Sequence, residues 1–102
     1  MTKWSIAESE GILRLTIEGR VEKEGVENFQ GALDSALDKN PKEVVFDLKD
    51  LEFINSSGIG KLLKFYKRMR DVGGDVSIEG ISEDIFTLFK VIGLDKHMKI
   101  KK

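Results

Sequence analysis

Asn55-Ser56-Ser57-Gly58-Ile59-Gly60 lies between an apolar run, Val44-Val45-Phe46, and an amphipathic run that begins at Ile59. A buried strand that feeds a small-residue turn and then a helix places hydroxyls at the helix N-terminus. Four backbone N–H groups there have no partner inside the helix. The free donors and the helix dipole both favour negative charge at such an end. A serine so placed is an ordinary cap, a donor that cradles a phosphate, or a residue that is itself phosphorylated.

Working outward, the spacing predicts an α/β domain. Trp4 to Glu8 and Ile12 to Glu18 alternate on either side of Gly11 and read as an antiparallel hairpin. Arg20 to Glu24 is a polar connection between Gly19 and Gly25. Val26, Phe29, Leu33, Ala36 and Leu37 then recur at helical intervals, and Asn40-Pro41 ends that helix. The block Val44-Val45-Phe46 suits a strand covered on both faces, and Lys49 to Asn55 reads as a loop. The next helix is expected over about 57–72, with Ile59, Leu62, Leu63, Tyr66 and Met69 inward and Gly73-Gly74 as its stop. Val76 to Ile78 is a further strand. Ser82 caps a third helix with Ile85, Leu88, Phe89 and Ile92 inward, closed by Gly93, and Met98 to Ile100 forms a last strand. The expected order is β-β-α-β-α-β-α-β in one domain, 1–102. Its sheet is mixed and mostly parallel, flanked by helices, with the hairpin as the antiparallel element.

Composition narrows the function classes. Hydrophobic residues make up 40% and charged residues 34% of 102, which suits a folded domain rather than a disordered one. A net charge of −1 argues against nucleic acid or an anionic membrane as partner. With no cysteine there is no disulfide and no thiolate metal site. No stretch is long and apolar enough for a membrane span, and Met1 to Glu10 has no apolar core of a signal peptide, so a cytoplasmic location is expected.

Several chemistries fail on residue type. In a phosphate-binding P-loop, Leu62 would stand where Ser or Thr holds magnesium, and Asn55 where the first glycine belongs. Gly58-Ile59-Gly60 lacks the third glycine of a dinucleotide fingerprint, Leu63 being there. The nucleophile elbow is absent around Ser56 and Ser57, and His97 is the one histidine available as a base. No metal, cofactor or enzymatic activity is expected. Lys61, Lys64, Lys67, Arg68 and Arg70 form a cationic outer face on the second helix, which reads as a solvated face or as a docking surface for an acidic partner. Phe86 lies at the edge of its helix stripe, where an exposed aromatic can mark an interface. Two serines, an asparagine and two glycines are more than one helix cap requires, and small residues leave the turn open to a partner's active site.

Asp47-Leu48, followed by Leu51-Glu52-Phe53-Ile54-Asn55-Ser56-Ser57-Gly58-Ile59-Gly60, resembles the signature of the STAS domain, in particular that of the bacterial anti-sigma factor antagonists. Gly19-Arg20-Val21, Asp71-Val72-Gly73-Gly74 and Leu88-Phe89 with Ile92-Gly93-Leu94 extend the likeness over most of the chain. The resemblance implies a phosphoacceptor at Ser56 and a partner surface made of Asn55, Ser56, Ser57, Gly58, Ile59 and Lys61. It implies that the unphosphorylated form binds an anti-sigma factor that is also a serine kinase, that phosphorylation releases it, and that a metal-dependent serine phosphatase resets the switch. Asn55 replaces the aspartate common before the phosphoacceptor, keeping size and capping ability but dropping a charge. Many members continue into a further helix after the last strand, so part of the family's partner surface or sheet cover is expected to be missing from a sequence that stops at Lys102. The family also implies an alternative, a scaffold subunit of a transporter such as a lipid-transport ABC system, in which the serine is not modified.

Overall fold

The strand Ile12–Val21 (β2) carries Leu13, Leu15, Ile17 and Val21, all fully buried, alternating with exposed Arg14, Glu18 and Arg20. That alternation gives the sheet one apolar and one polar face. The computed structural model, which describes residues 2–102, builds the rest of the molecule on the apolar side. Thr2–Ser9 (β1) pairs antiparallel with β2 through a turn at Glu10-Gly11. Both turn residues have positive φ, 54° and 83°, the backbone twist that suits a two-residue hairpin.

Glu43–Leu48 (β3) runs parallel to β2, and Asp75–Ile81 (β5) runs parallel to β3. Lys99–Lys101 (β6) runs parallel to β5, giving the order β1-β2-β3-β5-β6. The helices are Glu24–Asp38 (α1), Ser56–Asp71 (α2) and Glu83–Val91 (α3), with a 3-10 turn at Leu94–Lys96. Phe46 of β3 meets Phe65 of α2 edge to face, with ring centroids 5.5 Å apart, near the middle of the core. The opposite face is polar: Arg14 reaches Asp47 at 3.5 Å and Glu79 at 3.3 Å across three strands.

The mixed, mostly parallel α/β sheet expected from the spacing is present, with five local differences. Lys49 to Asn55 is not a loop: Leu51–Ile54 forms a strand (β4) that pairs with the far end of β2, beyond a register shift at Gly19/Arg20. Four residues are too few to show an alternation, although Leu51 and Ile54 are both buried. The first helix starts at Glu24 and takes in Gly25, whose buried Cα lies against β2; a Cβ there would stand 2.7 Å from the Arg20 carbonyl oxygen. In α2 the buried residues are Gly58, Leu62, Phe65 and Met69, while Ile59, Leu63 and Tyr66 are half-buried along its flank. In α3 the helix ends at Val91, so Ile92 becomes its C-cap, leaves the inward stripe and is 45% exposed. Val45 is buried as expected, but on the polar face beside Arg14 and Ser77 of the neighbouring strands.

Candidate functional site

β4 delivers the chain to α2 with little freedom left. The Asn55 N–H donates to the Val21 carbonyl at 3.0 Å, tying the turn to the end of β2. Asn55 itself is extended, with φ −87° and ψ 177°, and its side-chain oxygen accepts from the Gly58 N–H at 2.9 Å. The cap is therefore the asparagine and not a serine. Ser56 and Ser57, the first two helical residues, are both exposed, and neither hydroxyl makes a hydrogen bond among the described residues. With Gly58 capped and the Ile59 N–H bonded to the Asn55 carbonyl, the N–H groups of Ser56 and Ser57 are the unclaimed donors of this helix end.

Gly58 is small because it must be. A Cβ there would lie 2.8 Å from both Ile54 and Val21, two buried side chains of the strands beneath. The glycine lets the first turn of α2 sit down on β2 and β4, which fixes where the Ser56 hydroxyl points. The first turns of α1 and α3 carry acidic residues, Glu24 and Glu27 in one and Glu83 and Asp84 in the other. The first turn of α2 carries none, and its positive end is left uncompensated.

Beside Ser56 the surface opens into a cavity of about 240 Å³ lined by Ile59, Leu63, Ile92, Leu94 and His97. Sequence spacing did not reveal this neighbour, because the α3 end and the 3-10 turn reach α2 only through the tertiary fold. The signals that were available are Val91 and Ile92, two aliphatic residues just ahead of Gly93; they are 79% and 45% exposed. His97 follows the 3-10 turn and stacks obliquely on Tyr66 at 6.0 Å. On the far side of the turn, Arg20 sits 4.7 Å from the centre of the Phe53 ring and donates to Glu22 at 2.7 Å. That hydrogen bond holds the Glu22 carboxyl below its usual range.

Of the residues singled out from sequence, Asn55, Ser56, Ser57, Gly58 and Ile59 form one continuous turn. Gly58 is buried within it, while Ser56 and Ser57 face outward. Lys61 lies a turn further on and is half-buried against the α1 side of α2. Phe86 is half-buried rather than free, with the Lys102 ammonium 4.7 Å from its ring centre. Among the described residues no cluster of His, Cys, Asp and Glu could hold a metal ion, and no helix is long and apolar enough to cross a membrane.

A β-sheet with helices gathered on one face, and a bare serine on the first turn of its second helix, defines a small α/β domain with an exposed hydroxyl site. The sequence model of the STAS domain matches residues 3–102, and the chain belongs to that family. It is 29% identical over 91 residues to the anti-sigma F factor antagonist of Paenibacillus polymyxa, covering 88% of this chain and 78% of that one. An anti-sigma factor antagonist from Mycobacterium paratuberculosis has the same fold, with a TM-score of 0.88 at 18% identity over 99% of this chain and 86% of that one. The antagonist SpoIIAA in its unphosphorylated form superposes with a TM-score of 0.80 at 18% identity, covering 98% and 89%. The fold also occurs in a sulfate transporter family protein from Wolinella succinogenes, TM-score 0.78 at 16% identity, covering 93% and 80%.

Proposed function

We propose that this protein is an anti-sigma factor antagonist: a binding module rather than an enzyme, acting in the cytoplasm and switched by phosphorylation of Ser56. The observation that carries the reading is the exposed, unbonded Ser56 hydroxyl on a capped helix end. A kinase must reach the oxygen, and a hydroxyl engaged in capping would have to be released first. Asn55 removes that competition. The partner is an anti-sigma factor with serine kinase activity, and a serine phosphatase restores the unmodified form.

The docking surface centres on Asn55, Ser56, Ser57, Gly58, Ile59 and Lys61. The cavity next to Ser56 supplies an apolar socket for one partner side chain. Phosphorylation adds about −1.5 to −2 charge at neutral pH. Within the domain that charge lies at the positive end of α2, near two free N–H groups, and is tolerated. Within the complex the same group has to be stripped of water beside an apolar socket, which costs several kcal/mol. A loss of about 3 kcal/mol already lowers affinity more than a hundredfold.

Incubation with a candidate anti-sigma kinase and ATP, followed by intact-mass and peptide analysis, should place a single phosphoryl group on Ser56. The phosphorylated protein and Ser56→Asp should lose the kinase partner, whereas Ser56→Ala should bind it and resist release. A modified form that docks as tightly as the unmodified one would refute the switch. The transporter reading has the Wolinella structure in its favour, a fold likeness only. It predicts capture of a membrane transporter that is indifferent to Ser56→Asp.

A further inference from the structure

α2 carries five cations and one carboxylate in a chain whose net charge is −1, so positive charge is concentrated on one element of an otherwise acidic domain. Lys61, Lys64 and Arg68 follow one another at helical spacing, about 10 Å from end to end, with Lys67 alongside. Among the described residues none of these four takes part in an ion pair. All four line one groove of about 470 Å³ between α1 and α2, floored by Leu33, Leu37 and Phe65. From the α1 side the groove receives the uncharged Gln30, whose amide donates to Asp34 at 2.9 Å.

The floor decides what can bind. Leu33 is 1% exposed and Phe65 2%, so of the three floor residues only the half-buried Leu37 offers apolar surface, too little for a lipid tail or a fatty acyl chain to cover. A single headgroup would also reach only part of a cation row this long. A second copy offers the exposed Glu27, Asp34 and Asp38 of α1, but the apolar stripe of that helix is buried in its own core, so it brings carboxylates without aliphatic side chains for the floor. An external helix with carboxylates one turn apart matches the row in pitch and sign, and one or two small aliphatic side chains between them suit the narrow floor.

We propose that the groove between α1 and α2 is a docking surface for an acidic amphipathic helix of a protein partner. Lys64 and Arg68 form the centre of the contact and Lys61 its end nearest Ser56. The groove shares only Lys61 with the surface around Ser56, and its centre, Lys64 and Arg68, lies outside that surface.

The probe is a fluorescein-labelled helical peptide of about four turns, with Glu repeating at three- and four-residue spacing and Leu between, together with its Lys-for-Glu counterpart. Fluorescence anisotropy should show the acidic peptide binding and the basic one not. Affinity should fall by about tenfold or more for the double variant K64E/R68E, and should weaken steeply as salt rises. The variant K3E/K99E makes the same change in net charge at strands remote from the groove, and should bind within about twofold of the wild type. Because Lys64 and Arg68 are exposed and unpaired, their reversal leaves the fold intact, which circular dichroism checks. Equal weakening by both double variants would overturn the proposal. So would binding to phosphatidylglycerol vesicles without binding to the peptide, or a K64E/R68E-sensitive dimer that ignores the peptide.

Discussion

Asn55 and Ser56 divide two tasks that adjacent serines could otherwise share. Sequence pattern alone favours the serine as a helix cap, since Ser and Asn are among the commonest helix starters. The geometry assigns the cap to Asn55: the asparagine oxygen lies 2.9 Å from the Gly58 N–H, and the Ser56 hydroxyl is left without a partner. The consequence is measurable. Asn55→Ala removes one capping hydrogen bond and should cost about 1 kcal/mol in chemical denaturation, within the usual range for such caps. Asn55→Asp keeps the bond and adds a charge at the positive end of α2, so its stability should equal or exceed that of the wild type at neutral pH. If Ser56 were the cap after all, Asn55→Ala would be nearly silent and Ser56→Ala would carry the loss.

At the scale of the element, α2 holds two glycines with opposite reasons for being there. Gly58 is demanded by the strands beneath it, as the 2.8 Å approach to Ile54 and Val21 shows. Gly60 is exposed, and a Cβ added there would meet nothing within 4 Å. A glycine inside a helix costs roughly 0.5–1 kcal/mol relative to alanine, and nothing in the fold requires this one. Gly60→Ala should therefore raise stability by about that amount and, lying between Ile59 and Lys61 of the proposed docking surface, weaken the proposed complex with an anti-sigma factor. Gly31 of α1 is similarly open, and Gly31→Ala should stabilise the domain without touching the complex. Thermal melts paired with partner titrations separate the two effects; improved binding by Gly60→Ala would remove that glycine from the interface. The extent of α2 was legible because a sixteen-residue helix repeats its pattern several times. Strand β4 was not, since four residues repeat nothing, and neither was the place of Phe65. The sequence offers Phe65 and Tyr66 side by side, and only the position of Phe46 decides which ring goes under.

Across the whole molecule, the exposed Ser56 hydroxyl lies at the edge of the core. The core is continuous from Leu13, Leu15 and Ile17 through Val44, Phe46 and Ile78 to Phe65 and Phe89, and it meets the surface beside the exposed Ser56 only through Leu94. Apart from β4, the succession of strands was visible in outline because each announces itself locally. The socket beside Ser56 depends on where the α3 end comes to rest, which no local pattern records. A domain of this size holds roughly 5–15 kcal/mol in reserve, so changes at the two places should differ sharply. Phe65→Ala empties a ring-sized space against Phe46 and should cost about 3–5 kcal/mol, enough to lower the melting temperature by well over ten degrees. Ser56→Asp adds charge to an exposed site at the positive end of a helix and should shift stability by no more than about 1 kcal/mol in either direction. Its amide spectrum should change only around the first turn of α2, the end of β4 and the Leu94–Lys96 turn. Shifts spreading through β2 and β3 would mean that the charge acts by rearranging the sheet, and a regulator built that way would release its partner by deformation rather than by repulsion at the contact.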